Sequence, residues 1–176
     1  ARRMLHDPRT RRMAEQFACQ WLHIRGFDQN DDKNEQRFPE FATLRGDMYE
    51  ESVRFFEDLF RNDGSVLDLL TADHTFLNER LAKLYRMEPF EGIKLRKVVL
   101  PKDSPRGGLM TQASVLRVTA NGTTTSPVVR GAWVMERIMG APIDPSNAAS
   151  AGLDPADGHH GTAVWRPSDR ECSDLF

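Results

Sequence analysis

The chain has 176 residues, 39% of them hydrophobic and 28% charged, and a formal net charge of -2. That balance suits one globular domain, or two small ones sharing a core, and is too apolar for disorder. It lacks the basic excess with which nucleic-acid binders neutralise phosphates, and no run nears the ~20 apolar residues that cross a bilayer.

The opening ARRMLHDPRTRRM holds five arginines in thirteen residues and reads as the solvated face of a first helix. It starts Ala1-Arg2-Arg3, without a Met or an apolar leader core, as a piece cut from a longer protein would. Asp7 as N-cap and Pro8 at the first helical position start that helix. Met13, Phe17, Trp21 and Ile24 make its buried stripe, and Gly26 ends it. The polar segment Phe27 to Gln36 reads as loop. Two isolated cysteines, Cys19 and Cys172, form neither a zinc site nor a CxxC or CxxCH motif; a disulfide between them is the one pairing open.

A longer helix is expected from near Pro39 to Arg61. Phe41, Leu44, Met48, Phe55 and Leu59 share one face, widened by Phe56 and Phe60, and Asp47, Glu50, Glu51, Glu57 and Asp58 fall on the solvated side. A di-metal carboxylate site would need Glu-x-x-His spacing, and this helix has no histidine. Asn62-Asp63-Gly64 is a turn, after which Ser65 caps a short helix over VLDLL. Asp73 or Thr75 then caps FLNERLAKLYR, with Leu77, Leu81 and Leu84 inward, Glu79 and Lys83 paired, and His74 as a capping or packing residue. KLRKVVL, Lys94 to Leu100, is the single strand candidate, and it needs a partner.

Pro105, Gly107 and Gly108 break the chain before a short helical segment, Leu109 to Val118. Thr119 to Ser126 is a loop, and Ser126-Pro127 starts a last helix that buries Val134 and Ile138 with Met135 and Met139 beside them. Gly140 and Pro142 stop it. A phosphate cradle would place a lysine after a glycine-rich loop in a GxxxxGK[ST] frame, and Gly107-Gly108 has neither. The reading is therefore a chain reversal, with Arg106 and Arg130 as the basic partners should an anion bind at Ser126. Asn121-Gly122-Thr123 also fits a glycosylation sequon.

Three stretches, Arg2–Leu22, Ser65–Arg86 and Arg106–Gly140, resemble adjoining modules of large secreted proteins of planctomycetes and related bacteria, the domains of unknown function 1592 and 1588. On this resemblance residues 1–105 are the C-terminal part of the first module, 106–142 the start of the second, and 143–176 an irregular tail outside the fold. The tail lacks the proline-rich run and the CxxCH motif that such proteins carry, and its His159-His160 pair has no further ligands nearby. The fold class expected is mainly α, a compact multi-helix domain with at most one short strand pair.

The resemblance implies an extracytoplasmic location and other domains of a longer parent as partners, among them a cytochrome c module. Any haem would sit in that parent, with no cofactor or metal in this chain. Two functions follow as expectations. One is a non-catalytic scaffold or interaction module. The other is part of an oxidoreductase or carbohydrate-active enzyme, with a polar site formed by Asp73, His74, Asn78, Glu79, Arg106, Thr111, Asn121, Thr125, Ser126 and Arg130. Asn78 and Ser126 discriminate: bonded to local backbone they are caps, and the scaffold reading gains.

Overall fold

The computed structural model describes residues 2–29, 38–88, 90–120 and 125–141. The described residues are mainly helical, with one two-stranded antiparallel pair. The chain divides into two compact units, Ala1–Leu116 and Arg117–Phe176.

The first unit is built on α3, Phe41–Arg61, which α2 (Thr10–Trp21) packs against. A four-residue turn of helix, α1 (Arg2–Leu5), precedes α2. Asp7 does not cap α2, which begins two residues later than expected; its carboxylate instead accepts from the Arg9 backbone N–H and side chain. The helix ends at Trp21, ahead of Gly26, where His23 takes a left-handed backbone. The buried face of α2 is Thr10, Ala14, Ala18 and Cys19, followed by Leu22. That face lies one residue out of phase with the expected stripe, so Met13 is 50% and Phe17 46% exposed. Small residues explain the offset: alanines at 14 and 18 let α2 approach α3 closely, and the bulky aromatics are displaced to the edge of the contact. There Phe17 and Trp21 still meet Phe56, with ring centroids 5.6 and 5.9 Å away.

On α3 the expected apolar face holds, with Phe41, Leu44, Met48, Phe55 and Phe56 buried. The acidic face does not. Asp47 and Glu51 are buried, and Glu51 has no solvent exposure at all. Glu50 and Glu57 meet Arg11, Arg54 and Arg61 in surface ion pairs.

Ser65 accepts the Leu67 N–H and leads into α4, Asp68–Thr71. The next segment corrects the expectation of a helix from Asp73 or Thr75. His74–Leu77 is a strand, β1, paired antiparallel with β2, Arg96–Val99, in the register His74 to Val99 and Leu77 to Arg96. The strand candidate near residue 97 thus finds its partner in a stretch whose local pattern continues into a helix. Thr75, Phe76 and Leu77 are buried, and β-branched and aromatic side chains suit such a site. Asn78 then caps α5, Glu79–Leu84, accepting the Leu81 N–H at 3.0 Å and donating to the Ile93 carbonyl at 3.2 Å. The Glu79–Lys83 pair forms as expected, at 2.7 Å.

Leu109–Thr111 is a 3₁₀ turn rather than the start of one continuous helix, and α6 spans Ala113–Val118. Before it, Gly108 sits at φ +58° with its N–H bonded to the Ala72 carbonyl at 2.9 Å, which ties the turn to the end of α4.

In the second unit Ala120 and Thr125 face each other in an isolated antiparallel bridge, so the chain reverses there. Ser126 caps α7, Pro127–Trp133, by accepting the Val129 N–H. A π-helical turn, Val134–Ile138, continues it, and Gly140 at φ +64° closes it. The expected buried side is only partly so: Val134 and Ile138 are half-buried, whereas Met135 is 38% and Met139 64% exposed.

Candidate functional site

Of the ten polar residues singled out from sequence, Asn78, Arg106, Thr111 and Ser126 are bonded to local backbone. In the first unit Asn78 is fully buried and caps α5. The Arg106 guanidinium lies 4.0 Å over the Tyr85 ring and donates to the Thr111 carbonyl at 3.0 Å. Thr111 Oγ1 accepts the Gly107 N–H at 2.9 Å and donates back to the Gly107 carbonyl. These two side chains hold the Gly107-Gly108 turn closed.

Asp73 is exposed, and its backbone carbonyl accepts the Leu100 N–H beside the strand pair. His74 stands on β1 and not at a helix start. Its ring lies 5.7 Å from that of Phe55, and its Nε2 is 3.5 Å from Asp58 Oδ2. With Asp58, Asp68 and Lys97 it lines a cleft of about 220 Å³. Lys97 Nζ, 2.7 Å from Asp58, neutralises that carboxylate. Glu79 is held below the usual carboxylate range by the Lys83 ammonium.

In the second unit Ser126 is buried and acts as N-cap. Arg130 Nε donates to Thr119 Oγ1 at 3.2 Å, and burial lowers the Arg130 pKa. Thr125 sits in the bridge to Ala120. Asn121 and the sequon lie outside the described residues, as do the tail and its His159-His160 pair. Cys19 is a free, buried thiol 3.1 Å from the Tyr49 hydroxyl, while Cys172 is outside the described residues. Among the described residues no group of three or more His, Cys, Asp or Glu is placed to hold a metal ion.

The most unusual environment is one that the sequence reading passed over. Glu51 on α3 is completely buried and accepts hydrogen bonds from Thr75 Oγ1 at 2.5 Å and from the Tyr85 hydroxyl at 2.6 Å. Tyr85 in turn accepts the Ala113 N–H at the head of α6, at 2.8 Å. Next to Glu51 on the helix, Ser52 donates to Gln112 Oε1 at 2.8 Å and lies 2.5 Å from Ser114 Oγ. Burial pushes the Glu51 pKa up to about 7, against the opposing pull of the two hydroxyls and of Arg106. Burial likewise raises Tyr85 well above its ordinary range. A signal for this site was present in sequence: Glu51 lies three residues after Met48 and four before Phe55, on the apolar stripe itself.

Residues 1–87 match the family described as a protein of unknown function, DUF1592, with the short name PSD4. Residues 106–172 match a second such family, DUF1588, with the short name PSCyt3. The chain is similar to both. The second match runs beyond residue 142. No curated protein matches the chain, and no solved structure does. Among the described residues no helix is long and apolar enough to cross a membrane.

Proposed function

We propose that this chain is a helical scaffold or interaction module of a larger extracytoplasmic protein, one that carries a cytochrome c module elsewhere. The observation that carries this reading is the use to which the polar residues are put. Asn78 and Ser126 cap helices through local backbone N–H groups. Arg106 and Thr111 close one turn on each other. Side chains committed in this way rigidify a framework. The two adjoining family matches, one of them bearing a cytochrome label in its short name, support a place in a multi-module protein. In that protein haem belongs to another module, and redox chemistry enters there.

The test uses the full-length parent with Asp73→Ala, Glu79→Ala and Thr125→Ala, residues whose side chains the caps and turns do not need. Haem content and any electron-transfer or glycan-degrading turnover are expected to stay within about twofold of wild type. A loss of about a hundredfold in turnover at unchanged melting temperature would reinstate a catalytic site on these elements.

A further inference from the structure

The β1–β2 ladder has one open side. Leu100 donates its N–H to the Asp73 carbonyl at 2.7 Å, and the register runs on from there with His74 opposite Val99 and Leu77 opposite Arg96. Backbone bonds alternate along an antiparallel pair, so Arg96, Val98 and Leu100 turn their N–H and C=O groups toward β1. Lys97 and Val99 turn theirs away from it. Among the described residues nothing bonds to the N–H or C=O of either, and no third strand adjoins the pair.

The open stretch is bounded at both ends. Ahead of it the Leu95 carbonyl accepts from Arg54 at 3.0 Å. Behind it Pro101 has no N–H, and its carbonyl accepts from the Ser104 N–H at 3.0 Å. One donor and one acceptor on each of Lys97 and Val99 are left, enough for a short added strand. The strand that carries them lies at the surface: Thr75, Phe76 and Leu77 of β1 are buried, whereas Arg96, Lys97 and Val99 of β2 are exposed, Val99 to 68%.

Charge decides what can use this edge. Residues 94–102, KLRKVVLPK, hold four cations and no acid. Lys97 is paired with Asp58, and the Arg96 guanidinium lies 3.5 Å over the Phe90 ring. Lys94 and Lys102 are exposed, and among the described residues no carboxylate pairs with them. Lysines and a flanking proline guard an edge against its own copies, because a second β2 laid along this one would set cation against cation. The same charges favour a strand that carries acids, and Val99 offers it an apolar, β-branched cross-strand contact.

We propose that the outer edge of β2 is a docking site for an extended acidic segment of a partner protein, which joins the ladder as a third strand through the backbone of Lys97 and Val99. Main-chain bonds hold the segment, and the flanking lysines select its charge. This deepens the interaction-module reading above and rests on it.

The test is an amide NMR titration of the full 176-residue chain with an eight-residue peptide of alternating glutamate and valine. At saturation the peptide is expected to raise the hydrogen-exchange protection of the Lys97 and Val99 amides at least about fivefold. The Val98 amide, already bonded within the ladder, should change less than about twofold. Two comparison peptides separate a strand from a bare charge. Alternating lysine and valine should bind at least about tenfold more weakly. So should the acidic peptide N-methylated at every backbone nitrogen, which keeps its charge and loses its donors. Lys94→Glu combined with Lys102→Glu, both at exposed sites, should weaken the acidic peptide by about tenfold or more. Lys97 and Val99 amides left unprotected by the acidic peptide, an N-methylated or basic peptide that binds as well, or a double variant that keeps its affinity would each overturn the docking edge. Failure here strikes this edge alone, since the haem and turnover readouts of the parent do not pass through it.

Discussion

Gly108→Ala is expected to destabilise the first unit by about 3–5 kcal/mol, a large part of the stability of an ordinary domain. Gly108 has φ +58° and ψ -171°, a region that essentially only glycine occupies. A methyl group there would sit 2.5 Å from the Leu70 carbonyl oxygen and 2.8 Å from that of Leu69. Both obstacles are backbone atoms at the end of α4, so no side-chain rotation removes the clash. The turn would have to lift away, breaking the Gly108–Ala72 bond and drawing Thr111 off Gly107. Urea denaturation measures the loss. Gly46→Ala, in mid-α3 with nothing within 4 Å of the added methyl, is the matched control and should gain about 0.5–1 kcal/mol. Equal effects at the two positions would mean that the turn is not clamped as described.

Phe56→Ala should cost a similar amount, about 3–5 kcal/mol. Phe56 is fully buried, and its ring centroid lies within 6.3 Å of those of Phe17, Trp21, Phe55 and Phe60. It is the residue on which the α2–α3 contact converges, and its removal leaves a cavity that two long helices cannot collapse. Phe17→Ala deletes the same side chain from a site 46% exposed and should cost about 1 kcal/mol. Chemical denaturation of the pair decides the matter. A Phe17 variant as damaging as the Phe56 variant would place the core on the wrong side of α2.

Much of this fold can be read from local sequence chemistry. The length of α3 follows from its apolar spacing, the start of α7 from Ser126-Pro127, and β2 from a β-branched run closed by Pro101. What could not be read depends on distant partners. His74–Leu77 runs straight into ERLAKL, and only pairing with residues 96–99 makes it a strand. The phase of α2 was set by Ala14 and Ala18, which are weak hydrophobic signals but allow the closest approach.

The burial of Glu51 escapes local sequence chemistry for a related reason. Carboxylates as a class belong at the surface, which groups Glu51 with Glu50 and Glu57 despite its position between Met48 and Phe55. Its burial depends on Thr75, Tyr85 and Ala113, which lie 24 to 62 residues further along the chain. By contrast Ser126 and Asn78 act on backbone three residues away, and motifs of that range are visible in sequence.

Carbon-detected NMR titration of the Glu51 side-chain carboxyl, followed together with the Ala113 amide, gives the most direct measurement of this architecture. A midpoint near 7, reported by both nuclei, is the result that a dry carboxyl wired through Tyr85 to the head of α6 requires. A midpoint at the ordinary glutamate value of about 4.3, or an Ala113 amide silent through the transition, would contradict it.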